Sequence, residues 1–93
     1  STFKVPYRMK IKCIIIDDEP LAAEVIEAHL SEFSNMELIG IFNNPIEALS
    51  MMENTSIDAI FLDINMQKMN GLEFIRSIGP KTNFIVTTAY REY

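Results

Sequence analysis

The apolar positions of this chain fall into short unbroken runs, separated by stretches in which they recur every three or four residues. Ile11 to Ile16 is nearly all apolar and β-branched and stops abruptly at Asp17-Asp18. That pattern marks a strand buried on both faces, as central strands of parallel sheets are. Asp18-Glu19-Pro20 then opens a helix: a carboxylate suits the cap, an acid suits the positive end of the dipole, and Pro is tolerated in the first turn. Ala22, Val25, Ile26, Leu30 and Phe33 recur at helical spacing with Glu24, Glu27 and Ser31 opposite, which predicts a helix to about Phe33 with the apolar set packed inward. Glu37 to Phe42 reads as a second strand. Asn44-Pro45-Ile46-Glu47 supplies an Asn cap, a Pro at the first helical position and a Glu placed to complete a capping box, so a helix runs to about Glu53. Ile57 to Leu62 is a third apolar strand, ending in Asp63. Asn70-Gly71 turns into a third helix with Leu72, Ile75 and Ile78 facing in and Glu73, Arg76 and Ser77 facing out, and Gly79-Pro80 stops it. Asn83 to Thr88 is a fourth strand.

The alternation β-α-β-α-β-α-β predicts an α/β fold: a parallel sheet with right-handed crossovers and helices on both faces. Ninety-three residues with 48% apolar content are enough for one core and too few for two. Residues 1–8 read as a leader ahead of Met9-Lys10, and residues 9–93 as the domain. No apolar run approaches the roughly 20 residues of a membrane span, and no basic-then-apolar secretory layout opens the chain, so a cytoplasmic protein is expected. Cys13, the only cysteine, lies within the first apolar run and reads as a buried structural thiol. His29, the only histidine, reads as a boundary residue of the first helix. Between Cys13 and Gln67 there is no Lys or Arg, while eleven acids run from Asp17 to Asp63. Such a surface repels phosphate backbones and argues against direct nucleic-acid binding.

In open α/β sheets, ligands bind outside the carboxyl ends of the strands, where strand order reverses. Asp17 and Asp18 end the first strand, Asp63 the third and Thr88 the fourth. If those strands are neighbours, three carboxylates converge and repel one another by about 4 kcal/mol per close pair at an effective dielectric of 20. A hard divalent cation offsets this. Mg²⁺ takes oxygen ligands and is usually shared between one or two carboxylates and a phosphate. With no Cys or His at these positions, soft metals are disfavoured. A carboxylate beside such a cation can attack phosphorus, and Asp63, alone at its strand end, is the candidate nucleophile, with Asp17-Asp18 gripping the metal.

Ile15-Ile16-Asp17-Asp18-Glu19-Pro20, Phe61-Leu62-Asp63-Ile64-Asn65-Met66 continuing to Met69-Asn70-Gly71, and Thr88-Ala89 together resemble the receiver domains of two-component response regulators, over essentially all of Ile11 to Tyr93. The resemblance implies a flavodoxin-like three-layer α/β/α fold of strand order 2-1-3-4-5. It implies phosphoryl transfer from a phosphohistidine on a sensor histidine kinase to Asp63. Mg²⁺, or Mn²⁺ in its place, would be bound by Asp18, Asp63 and the backbone carbonyl of Asn65, with Asp17 acting through water and Thr88 as the switch hydroxyl on the phosphoryl oxygens. Such a domain catalyses its own phosphorylation and dephosphorylation rather than turning over a substrate. The flavour Ile-Asp-Asp-Glu-Pro-Leu-Ala with Thr-Thr-Ala-Tyr-Arg-Glu-Tyr is similar to receivers joined to LytTR-type DNA-binding domains, which implies transcriptional control by an output domain outside this chain.

Two positions depart from the family pattern. Gln67 stands where Pro is usual after Met66, and the chain ends at Tyr93, before the family's fourth helix, its fifth strand with the phosphate-binding lysine, and its last helix. Those residues alone are expected to leave the fourth strand as an open edge, destabilising the fold or favouring a dimer or swapped oligomer. Two other readings remain. A pseudo-receiver would keep the fold as a protein-interaction module without chemistry. A haloacid-dehalogenase-like phosphatase would also use an aspartyl phosphate, but it wants Asp-x-Asp where Asp63-Ile64-Asn65 stands. A nucleotide-binding Rossmann unit is weaker, since the first strand-helix turn holds no glycine.

Overall fold

Local hydrophobic runs become strands here because each is flanked by residues that cannot continue it. The computed structural model describes residues 10–64, 66, 71–78 and 82–87. Its elements are β1 (Ile11–Ile16), α1 (Pro20–Leu30), β2 (Met36–Phe42), α2 (Pro45–Met52), β3 (Ala59–Asp63), α3 (Gly71–Ile78) and β4 (Asn83–Thr87). The four strands form one parallel sheet of order β2-β1-β3-β4. The chain thus pairs β1 with β2, then places β3 on the other side of β1, and this reversal opens the crevice at the carboxyl edge.

The two faces of β1 feed two cores. Ile14 and Ile16 join Ala48 of α2, Ile60 and Leu62 of β3, and Phe74 of α3. Cys13 and Ile15 join Ala23 and Leu30 of α1, with Ala59. Helices therefore cover both sides of the sheet in three layers, as expected. Cys13 is fully buried, its Sγ donates to the Glu37 carbonyl at 3.6 Å, and burial pushes its thiol pKa up, in keeping with a structural thiol.

Register slips once between β1 and β2. Cys13 pairs with Leu38 but Ile14 pairs with Gly40, leaving Ile39 as an extra residue. The bulge switches faces: Met36 and Leu38 pack on the α1 side, whereas Ile39 and Phe42 pack on the α2/α3 side. A Cβ at Gly40 would stand 2.9 Å from Cε2 of the Phe42 ring, so a larger residue there would oblige the ring to shift.

Several sequence expectations are corrected. Helix α1 stops at Leu30 rather than Phe33. The Ser31 hydroxyl donates to the Ala28 carbonyl at 2.6 Å, and the chain tightens into bonds from Glu32 N to His29 O and Phe33 N to Leu30 O. Phe33 consequently leaves the helix face and is exposed, and Val25 is exposed too, because the small Ala23 sets the close approach and Ala23 and Leu30 take the inward side. In α3, Leu72 is exposed and Phe74 fully buried, so the helix is rotated from the expected phase, while Ile75 and Ile78 stay partly buried against the core as anticipated. The expected Asn cap of α2 is present: Asn44 Oδ1 accepts from Ile46 N at 2.8 Å, followed by Pro45. The expected leader 1–8, the Asn70 turn, Gln67, Gly79-Pro80 and Ala89 to Tyr93 lie outside the described residues.

Candidate functional site

Strand β1 delivers Asp17 and Asp18 just past its end, and β3 ends on Asp63. Because β1 and β3 are hydrogen-bonded neighbours, with Ile16 opposite Leu62, the three acids meet at the carboxyl edge. One carboxylate oxygen from each of Asp17, Asp18 and Asp63 lies within 4.8 Å of the others. Asp17 and Asp63 are each only 5% exposed, whereas Asp18 is open to solvent. The backbone holds Asp17 rigidly: its N–H donates to the Phe42 carbonyl at 2.9 Å, and its Oδ1 accepts from Glu19 N at 2.9 Å.

That second bond revises the expected cap of α1. Glu19 occupies the cap position and its side chain makes no capping bond, so Asp17, two residues earlier, serves the N–H there. The chain bends at Asp18, whose side chain is exposed and offers an oxygen to the cluster with Asp17 and Asp63.

Electrostatics follow from this crowding. Burial pushes the Asp17 pKa above the ordinary carboxylate value, the Glu19 N–H pulls it down, and the charges of Asp63 and Asp18, with a hydrogen bond to the Asp63 carboxyl, raise it further. Burial and the neighbouring acids thus disfavour the charged form of Asp17. Three hard oxygen donors, two of them out of water, are the ligand set that Mg²⁺ prefers, and the residues present fit that ion.

Asn65 and Thr88, the other two expected site residues, lie outside the described residues. The β3–β4 register pairs Asp63 with Thr87, so the end of β4 stands beside the candidate nucleophile's own backbone. His29 is exposed and far along α1 from these acids. It lines an apolar groove of about 410 Å³ with Ile26, Leu30, Phe33, Met36 and Phe61, a feature that periodicity within single elements does not reveal because three elements build it.

A parallel sheet of this order, with an acidic trio at its carboxyl edge, defines a receiver-type α/β module. The chain belongs to the response regulator receiver domain family, whose model matches residues 13–93. Among curated relatives, it is 36% identical over 85 residues to the transcriptional regulatory protein BtsR of Escherichia coli K12, covering 89% of this chain and 36% of that protein. It is 33% identical over 86 residues to the transcriptional regulatory protein YpdB of the same organism, covering 89% and 35%. The chain thus spans about a third of the length of these relatives. Among solved structures, the response regulatory domain of MrkE from Klebsiella pneumoniae superposes with a TM-score of 0.77 at 32% identity, over 87% of this chain and 69% of that one. MaeR bound to beryllium trifluoride shares the fold with a TM-score of 0.77 at 23% identity, over 90% of this chain and 70% of that one. Among the described residues, no helix is long and apolar enough to cross a membrane.

Proposed function

We propose that this chain is the phosphoryl-accepting part of a cytoplasmic two-component regulator, with Asp63 as the acceptor. The observation that carries the reading is the meeting of Asp17, Asp18 and Asp63 within 4.8 Å at the carboxyl edge of a receiver fold. Asp63 Oδ attacks the phosphorus of a phosphohistidine on a sensor kinase. The P–N bond breaks, an acyl phosphate forms on Asp63, and the imidazole leaves and takes up a proton. Asp17, Asp18 and Asp63, joined by the Asn65 carbonyl, would hold Mg²⁺, with Mn²⁺ as a substitute. When bound, the ion supplies positive charge to phosphoryl oxygens that gain charge during transfer. The protein's own task is positioning. Asp17 is pinned by the Phe42 carbonyl and the Glu19 N–H, Asp63 is held at the end of a central strand, and Thr88 would donate its hydroxyl to the transferred group.

The curated relatives are named as transcriptional regulators, which supports an output domain acting on transcription. A LytTR-type DNA-binding output is the form the sequence flavour favours. Phosphorylation would then shift the population of an active arrangement around β4. The interaction-only reading leaves the acidic trio unexplained, since burying two like charges for no ligand costs stability.

The test is labelling of the full-length protein by acetyl phosphate with Mg²⁺, read by mass spectrometry. One phosphoryl group should add to the wild type and none to Asp63→Asn. Equal labelling of the two, or labelling indifferent to removal of Mg²⁺ by chelation, overturns the reading.

A further inference from the structure

Among the described strands, β2 stands at an edge of the sheet, hydrogen-bonded to β1 on one side, and none of its seven residues is buried. Its neighbour β1 buries Cys13 to Ile16 completely. Edge segments with few buried contacts are the first to open. Yet the bond that pins the backbone of Asp17 comes from this weaker side: the Asp17 N–H donates to the carbonyl of Phe42, the last residue of β2, at 2.9 Å. Whatever holds Phe42 in place therefore holds one corner of the acidic trio.

Two features fix Phe42. The extra residue Ile39 advances β2 by one position, so that Phe42 rather than Ile41 lies opposite Ile16, directly before Asp17. The second feature is the ring. Ile41 and Asn43, on either side, are exposed, whereas Phe42 packs against the core that Ile14 and Ile16 share with Ala48 and Phe74. Of residues 40 to 43, only Phe42 reaches that core. Its ring lies over Gly40, where an added Cβ would meet Cε2 at 2.9 Å and Cζ at 3.1 Å. Gly40 thus leaves open the slot that the ring fills, and the ring ties the end of an edge strand into the interior.

We infer that Phe42, seated over Gly40, is a positioning residue for phosphoryl transfer: its ring fixes the carbonyl that orients Asp17, and through Asp17 the place where the cation is held. It acts through Asp17 and supplies no ligand of its own. This rests on the phosphoacceptor reading of Asp63 and adds a residue outside the acidic trio on which the geometry of the site depends.

The experiment uses the full-length protein with two readouts: Mg²⁺ affinity by isothermal titration calorimetry, and hydrogen exchange of the Asp17 amide in a chelator. Variants are Phe42→Ala, the milder Phe42→Leu, Gly40→Ala in the wild-type and Phe42→Ala backgrounds, and Leu49→Ala, which trims a side chain packed against the same core from α2. Phe42→Ala should weaken Mg²⁺ binding by about tenfold, the lower end of the loss that follows removal of a group supporting a metal ligand. It should also speed exchange at the Asp17 amide while the amides of β3 keep their rates. Phe42→Leu should fall between wild type and Phe42→Ala. Leu49→Ala should lower the melting temperature and leave both readouts unchanged. Gly40→Ala should weaken binding by about threefold with the ring present and have no effect once the ring is gone, because the atoms nearest the added Cβ all belong to the ring. Equal losses for Phe42→Ala and Leu49→Ala, or exchange that rises across the whole sheet, would make the ring a core filler and overturn the inference. So would a Gly40→Ala loss that is the same in both backgrounds. Should Phe42→Ala unfold, Phe42→Leu is held to the same two readouts, and wild-type values for it overturn the inference. A wild type that binds no Mg²⁺ brings down the acceptor reading and this inference with it, whereas normal wild-type binding with an indifferent Phe42 overturns the inference alone.

Discussion

Asp17 carries the site's electrostatic tension. Its folded-state pKa lies above the ordinary 3.8, chiefly because burial disfavours the carboxylate. Over the interval between those two values the folded chain holds a proton that the unfolded chain has released. Stability of the metal-free protein therefore falls as pH rises through that interval, and the penalty is complete above the raised value. Replacing Asp17 with Asn removes the charge and keeps an oxygen to accept from Glu19 N. Asp17→Asn is thus expected to raise the metal-free melting temperature by several degrees at about pH 7 and to change it little at about pH 3, checked by thermal melts in a chelator. With saturating Mg²⁺ the order should reverse, since the variant loses a negative charge that helps to hold the ion. A wild type no less stable than the variant in chelator at neutral pH would contradict the assignment.

At the scale of elements, what matters is how each helix is rotated against the sheet. Phe74, fully buried among Ile14, Ile16, Ile60 and Leu62, fixes α3, while Leu72 points to water two residues away. Phe74→Ala should therefore cost about 3–5 kcal/mol, the usual range for deleting a buried ring. Leu72→Ala should stay within about 0.5 kcal/mol. Urea denaturation measures both, and a small loss at Phe74 with a large one at Leu72 would mean that the helix packs in the phase its heptad-like spacing suggests.

For the whole molecule, cation binding and stability are linked through the carboxyl edge. An ion that binds the folded chain and not the unfolded one stabilises it by about 2.7 kcal/mol at a hundredfold excess over Kd. Mg²⁺ should accordingly raise the melting temperature in a concentration-dependent way. Asp18→Asn and Asp63→Asn should each flatten that dependence, because each removes one of the three clustered negative charges. A melting temperature indifferent to Mg²⁺ in the wild type would remove the cation from the account, leaving the fold and family untouched.

Secondary structure was legible along the chain because it is written in local periodicity. The run Ile11 to Ile16, the Asn44-Pro45 start and the apolar stretch before Asp63 each announce themselves within a few residues. The acids could be assigned to strand ends for the same reason. Where helices stop and which way they face was less legible: Val25, Phe33 and Leu72 fit the spacing yet lie in water, because the depth of Ala23 and Phe74 against the sheet decides rotation, and that depends on volumes contributed by other elements. The bulge at Ile39 and the service of the Glu19 N–H by Asp17 are likewise invisible in any single segment. Thus the residues alone determined three carboxylates at the ends of two buried strands. Only tertiary structure made those strands neighbours, since pairing β3 with β1 rather than with β2 satisfies backbone groups 46 positions apart, as the Lys12 N–H to Asp58 Oδ2 bond at the foot of the same strands does, and no local pattern encodes such a separation.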